Sequence, residues 1–354
     1  MEKKHLLIYG CYGYTGRLIT EYAKRANLQP ILSGRDEERT RTLANEYGFE
    51  YRVFDLDNTA IIDKNLEGVK VLLHCAGPFK FTARVMADAC LRTGTHYLDI
   101  TGEYQVFEEL AKLDKQAIEK NIVIMPGVGF DVVPSDCLSL YLREQLPTAN
   151  SLELALLQKG GRLSHGTAIT VTENMGLGCV VRRKGKLEQI RAGELTREID
   201  LGDKKRTAVA IPWGDISTAF RSTKIPNIVV YNFLPPAVIR SMRMSNYLSI
   251  VLQFQFVKRF LINRIKKRPP GPSDEERSSA ASFIWGEVRN DIGVVKRAML
   301  ELPEGYTLTA MTAVSIAGKL LTDNVLKGYK TPAMAFGSGF ILNFEGVKRK
   351  DLAA

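Results

Sequence analysis

Near the start of the chain, Gly10, Gly13 and Gly16 sit three apart in GCYGYTG, between an apolar run and a helical pattern. This arrangement suits the diphosphate of a dinucleotide. Gly10 permits a tight turn, Gly13 lets the backbone approach a pyrophosphate, and Gly16 lets the following helix pack closely on a sheet. The N–H groups of the first helical turn would then face the phosphates. Tyr12, Tyr14 and Thr15 lie inside the turn and are assigned to the same site. The spacing is GxxGxxG and not the GxGxxG fingerprint, so the surrounding residues must decide. The second apolar run, QPILSGR, ends in Ser33, Gly34 and Arg35, with Arg39 one turn further on. At this strand end an acidic side chain would bond the ribose of NAD, whereas arginine accommodates the extra phosphate of NADP. Arg35 therefore predicts NADP, although Asp36 follows it. Asp55 and Asp57, near the end of a third run, are placed on the adenine side.

Hydride transfer needs a group that meets developing negative charge with a proton. Tyr104, after the TGE turn, and Asp131, in the glycine-rich GVGFD turn, are the catalytic candidates. Glu103 is suited to orienting another group. His74 stands at a strand end and is either a donor or a core residue. His165, in SHGTA, faces a cleft or serves a turn. Cys75 reads as packing. There is no Ser-Tyr-xxx-Lys arrangement, no nucleophile triad and no HExxH. The five scattered cysteines form no CxxC pair, so neither a metal site nor a disulfide framework is expected.

The elements that would position these groups alternate. Strand, glycine turn and helix recur through residues 5–125, with the 104–120 stretch expected as one helix. Such alternation means a parallel sheet with helices on both faces, with ligands beyond the C-terminal strand ends. From Ser151 the pattern changes. SLELALLQK and SHGTAITVTENMG read as strand, turn and helix, and ASFIWGEVRNDIGVVKRAMLEL as paired strands turning near Asn290–Gly293. TLTAMTAVSIAGKLLTDNVL, residues 307–326, reads as a long helix. The fold class is α/β: an N-terminal Rossmann domain with a parallel sheet, residues 1–130, and a second α+β domain with a mixed sheet, residues 131–354. The residues alone leave open whether the C-terminal segment stays in the second domain or packs back on the first.

Residues 240–273 are unusual. An apolar run, Tyr247–Phe256, precedes Lys258, Arg259, Arg264, Lys266, Lys267 and Arg268 without an acid among them. It is too short and too polar to span a membrane. Three readings stay open: a core helix with a solvated basic end, peripheral membrane contact through residues 244–268, or the wall of an acyl pocket. The net charge of +10 suits an anionic cofactor, an anionic surface or a generally basic exterior. No helix-turn-helix spacing, zinc finger or RNP-like run supports nucleic-acid binding. The opening MEKKHLLIYG enters a strand with no signal-peptide h-region before it, so a cytoplasmic protein, soluble or peripheral to a membrane, is expected.

GCYGYTG, SGR, HCAGPF, GTHYLDITGE and PGVGFDVVPSD, in this order, resemble the saccharopine dehydrogenase-like oxidoreductases, a family that includes trans-acting enoyl reductases. EGYTLTAMTAV and GYKTPAMAFG resemble its lipid-linked branch. The resemblance implies an NADP cofactor. It implies that Ala76, Gly77, Pro78 and Phe79 pass by the nicotinamide ribose, and that Thr101-Gly102-Glu103 and Gly129-Phe130-Asp131 line the cleft. Ala83 departs from the family by standing where many relatives have glycine. The resemblance further implies a homodimer. It implies hydride transfer to a hydrophobic enoyl substrate, to a C=N bond as in the saccharopine enzymes, or a dinucleotide-binding scaffold without turnover.

Overall fold

The computed structural model describes residues 4–201, 205–322 and 326–353. The chain divides into two compact units. One runs to Val133 and takes in Gly305–Ala335; the other is Pro134–Glu304 with the chain from Phe336.

In the first unit the short apolar runs form β1 His5–Tyr9, β2 Ile31–Gly34, β3 Tyr51–Val53, β4 Val69–His74, β5 His96–Asp99 and β6 Val123–Met125. Strands rich in Leu, Ile and Val on both faces are those that helices cover twice. All pair in parallel in the order β6-β5-β4-β1-β2-β3, and a two-residue strand, Gly328–Tyr329, extends the sheet beside β6. The connecting helices are α1 Tyr14–Arg25, α2 Glu37–Tyr47, α3 Thr59–Asn65, α4 Phe79–Thr93 and α5 Tyr104–Leu110. The winding reverses between β1 and β4, which opens a crevice at their C-terminal ends. Ala83 is on the buried face of α4, in the core. The expected helix over 104–120 is broken: a 3-10 turn, Ala111–Leu113, precedes a new helix at Asp114. The carboxylate of Asp114 accepts the Tyr329 N–H at 2.7 Å, so the restart is fixed by a strand that lies far along the chain.

The long helix expected over 307–326 is Gly305–Thr322; residues 323–325 lie outside the described residues. It belongs to the first unit, whose boundary falls at Val133 and not at 130. Composition explains the placement. Leu308, Ala310, Ala313, Ile316, Ala317 and Leu320 are all buried, leaving little that tolerates water. The helix lies against α1, where the Tyr14 and Tyr306 rings meet edge to face at 5.1 Å.

The second unit is built on a mixed sheet of nine strands among the described residues. Its order is Thr196–Asp200, Lys205–Ala210, Asn227–Phe233, Ser151–Lys159, Ala281–Arg289, Val295–Leu302, Lys348–Leu352. Asn227–Phe233 and Ser151–Lys159 run parallel; the other neighbours in this order are antiparallel. A hairpin, Cys179–Arg183 with Lys186–Ile190, attaches at Ile228. The turn at Asn290–Gly293 forms as its residues predict, with the Asn290 side chain accepting the Val294 N–H at 2.9 Å. Leu138 and Leu142 pack into the space that Gly286 leaves on the sheet.

Residues 240–273 do not form a core helix. Residues 240–266 lie in and between the helices Pro236–Ser245, Ser249–Gln253 and Gln255–Lys266, where Ile239 and Lys258 are buried among the described side chains. Among the described residues no helix is long and apolar enough to cross a membrane.

A Cβ on Gly16 would lie 2.3 Å from the Gly10 carbonyl oxygen and 2.8 Å from that of Cys11, both backbone atoms that cannot step aside cheaply. Gly16→Ala is expected to cost about 1–3 kcal/mol and lower Tm. Gly318→Ala, inside the helix Gly305–Thr322 with nothing within 4 Å of its Cβ, is expected to be neutral or to stabilise by up to about 1 kcal/mol. Equal melting shifts for the two variants would refute the close approach.

Candidate functional site

The glycine turn joins β1 to α1. Gly10 has φ +81°, the left-handed region, and a Cβ there would stand 2.9 Å from both Cβ and N of Ala76. The turns after β1 and β4 are therefore in contact. Gly13 is the N-cap of α1. No side chain caps this end, and its first turn carries no acid. Three other helix starts of the unit are filled. Asp36 caps α2 and Asn58 caps α3. At α4 the Glu103 carboxylate accepts the N–H groups of Phe79 and Lys80 at 2.8 and 3.2 Å. The α1 terminus is thus left for an external anion, and the glycines leave the room a diphosphate requires.

The two arginines after β2 have different roles. Arg39 donates to the Tyr12 carbonyl at 3.3 Å, and its guanidinium lies 4.4 Å from the Tyr12 ring centroid. That ring lies on Gly34, where any Cβ would come within 2.3 Å of it. Arg35 is exposed and makes no hydrogen bond or ion pair among the described residues. It acts electrostatically on the Tyr9 phenol, as do Asp55 and Asp57, which places these charges around one point beyond β1. Ser33 contributes differently from expectation. It is fully buried and its hydroxyl donates to the Arg52 carbonyl, so only its backbone serves the turn, its carbonyl accepting Gly10 and Cys11 N–H. Thr15 lies in the first turn of α1, half-buried.

Beyond β4, Ala76 and Gly77 lead through a cis Gly77–Pro78 bond into α4. The Phe79 ring is nearly buried, edge to face with His74 at 5.3 Å, so its side chain belongs to the core. His74 is a core residue as well. Its Nε2 lies 2.9 Å from the Thr82 hydroxyl, which itself donates to the Ala76 carbonyl at 2.9 Å. With that proton committed, Nε2 is the donor and Nδ1 stays bare and buried. Burial pushes the imidazole down to about 3, so it is neutral and no acid at physiological pH. His165 opens the helix His165–Glu173 in the second unit, its Nε2 2.7 Å from the Arg268 carbonyl oxygen.

The ends of β5 and β6 are joined by Asp99, which is fully buried. One carboxylate oxygen accepts the Tyr97 hydroxyl at 2.7 Å. The other accepts Thr101 N–H at 3.0 Å and Gly127 N–H at 2.9 Å. Desolvation raises Asp99 to about 6, and these hydrogen bonds limit the rise. The loop of residues 128–131 is gripped from the other side. Thr309 accepts the Phe130 N–H at 3.0 Å and Thr312 donates to the Val128 carbonyl at 2.8 Å. A Cβ on Gly102 would stand 2.7 Å from Asp131 Oδ2, so the carboxyl lies directly on the TGE turn. Tyr104, half-buried, opens α5 two residues later. Desolvation by surrounding protein raises Asp131 to about 7. Asp99, Thr309 and Thr312 escaped sequence reasoning. The available signals were a carboxylate closing an apolar strand and two threonines three apart on one face of an apolar helix.

A reversed parallel sheet with a glycine turn and an open helix start defines a dinucleotide-binding protein of the Rossmann class. Residues 6–125 match the saccharopine dehydrogenase NADP binding domain. Through this domain the chain is similar to the saccharopine dehydrogenase-like proteins, and its cofactor is NADP. A saccharopine dehydrogenase-like oxidoreductase of Mus musculus is 31% identical over 40% of this chain and 38% of its own length, so this chain matches well under half of that relative. A trans-acting enoyl reductase of Mycobacterium leprae is 31% identical over 38% of this chain and 34% of its own. A Caenorhabditis elegans lipid droplet localized protein is 23% identical over 97% of this chain and 96% of its own. The solved saccharopine dehydrogenase (L-Glu forming) of Saccharomyces cerevisiae shares the fold, with TM-score 0.67 at 13% identity over 99% of this chain and 100% of that one.

Arg35→Ala is expected to weaken NADPH binding about 10-fold or more and leave NADH nearly unchanged, since only the former carries a phosphate for a charge-assisted bond. Fluorescence titration checks this. Arg39→Ala should weaken both alike through loss of Tyr12 support. Equal affinity of the native protein for NADPH and NADH would overturn the role of Arg35.

Proposed function

We propose that this chain is an NADPH-dependent oxidoreductase that reduces a carbon–carbon double bond conjugated to a carbonyl in a hydrophobic, acyl-type substrate. When bound, NADPH supplies the hydride. The chain's own residues hold the dinucleotide and manage the proton. Gly10, Gly13 and Gly16 with the open start of α1 would take the diphosphate, and Arg35 the additional phosphate. The turn Ala76–Pro78 touches Gly10 and would run beside the ribose next to the nicotinamide.

The observation that carries the reading is the Asp131 carboxyl. It lies on Gly102 at the C-terminal ends of two adjacent strands, and desolvation raises it to about 7. Near neutral pH much of it is protonated. Hydride addition at the β carbon of an enoyl group pushes an electron pair toward the carbonyl, and the α carbon then needs a proton. A carboxylic acid held neutral beside the cofactor is matched to that step. Tyr104 supplies a second hydroxyl at the same strand end. The enoyl class is supported by the relatives named trans-acting enoyl reductase.

A proton donor works while protonated, so kcat is expected to be highest below pH 7 and to fall as pH rises through about 7. Asp131→Asn should lower kcat by about 10²–10⁴-fold, remove that limb of the profile and leave the NADPH Kd unchanged. NADPH oxidation with a panel of enoyl thioesters and imines is the assay. A flat profile, or a variant as fast as the native protein, would remove Asp131 from the chemistry. Binding without consumption by any acceptor would favour a scaffold.

A further inference from the structure

The helical stretch from Pro236 to Lys266 is turned inside out. A helix that caps a soluble protein packs its apolar stripe inward and shows polar residues to water. Here, beside the buried Ile239, much of the inward contact is polar. The Lys258 ammonium donates to the Glu173 carbonyl at 2.8 Å and pairs with its carboxylate at 3.5 Å. Gln253 donates to the Gly176 carbonyl at 3.2 Å, and Arg243 to that of Gly193 at 2.8 Å. Asn246 both donates to and accepts from the backbone of Ala192. The large apolar side chains point away. Tyr247 is 89% exposed, Phe256 70%, Met244 66% and Phe260 60%, and Leu248, Val251 and Phe254 are exposed beside them. Phe254 and Phe256 stack on each other at 5.9 Å instead of on the protein.

The charge carried by this segment has one sign. No aspartate or glutamate occurs from residue 216 to 273. Arg240, Arg259, Arg264, Lys266, Lys267 and Arg268 are exposed among the aromatic side chains. A face that joins protruding Phe, Tyr and Leu to a ring of cations matches one surface by both polarity and charge: a lipid layer with anionic headgroups. Aromatic rings enter the headgroup–acyl boundary while Lys and Arg remain at the phosphates. We infer that residues 238–268 are a lipid-docking surface, by which the protein sits on an anionic membrane or lipid monolayer without crossing it. The inference stands on this face alone and not on the chemistry proposed above.

The test is co-sedimentation of the full chain with vesicles of phosphatidylcholine, with and without 30% phosphatidylglycerol. Binding to the anionic vesicles is expected at low salt, weakened at 0.5 M NaCl and much weaker on pure phosphatidylcholine. Phe256→Ser with Phe260→Ser should abolish it, and Lys266→Glu with Lys267→Glu should reduce it by at least about fivefold per charge. Both double variants should keep the native melting temperature and NADPH affinity, because these side chains lie outside the core. The inference is overturned if the native chain stays in the supernatant with anionic vesicles, or if the serine variant binds as well. It is also overturned if sedimentation velocity shows a dimer that the serine variant splits, which would make the face an interface between two copies.

Discussion

The candidate site depends on one buried carboxylate. Asp99 ends β5 in a dry environment and satisfies three donors there: the Tyr97 hydroxyl, the Thr101 N–H and the Gly127 N–H. Its own carbonyl takes a fourth, from Val128, at 2.8 Å. The loops after β5 and β6 have no ladder of their own, so without this acceptor several backbone groups would be buried unpaired, each at a cost of about 1–3 kcal/mol. Because both loops hang on one side chain, Gly102 and Asp131 meet reproducibly. The Asp131 carboxyl is then shielded by the turn it rests on, and shielding sets its proton affinity.

A second economy concerns helix starts. Each helix N-terminus is an anion site by default, and the first unit fills three of its own with side chains. Asp36, Asn58 and Glu103 occupy α2, α3 and α4. Glu103 is a positioning residue in this sense, tying the start of α4 to the end of β5. The start of α1, between Gly10 and Gly16, is left without a side-chain cap.

Much of the frame was legible. Glycine turns, short apolar runs and helix stops follow local rules, so the alternation of strands and helices that makes a parallel sheet could be read from Gly10–Gly16, Gly34–Arg35 and Gly77–Pro78. Asp131 was legible as a carboxylate in a glycine-rich turn after a strand. The supports were not. Thr309 and Thr312 act on residues about 180 positions earlier, and no local pattern reports such a pairing. Ser33 and Phe79 looked like lining residues because they stand at strand ends, yet their side chains point to Arg52 and His74. The basic segment shows the same limit from another side. Periodicity separates an apolar stripe from a polar one, but which stripe meets the protein depended on partners such as Glu173 and Gly193.

In the chemistry proposed above, hydride passes from a dinucleotide on the α1 turn to a carbon acceptor, with the proton coming from the chain. The direct test uses NADPH deuterated at the transferable hydrogen, an enoyl thioester turned over by the protein, and mass spectrometry with NMR of the product. One deuterium at the β carbon is predicted, and a solvent-derived hydrogen at the α carbon. A product without the cofactor's deuterium, or tight NADPH binding with no transfer to any acceptor, would contradict it.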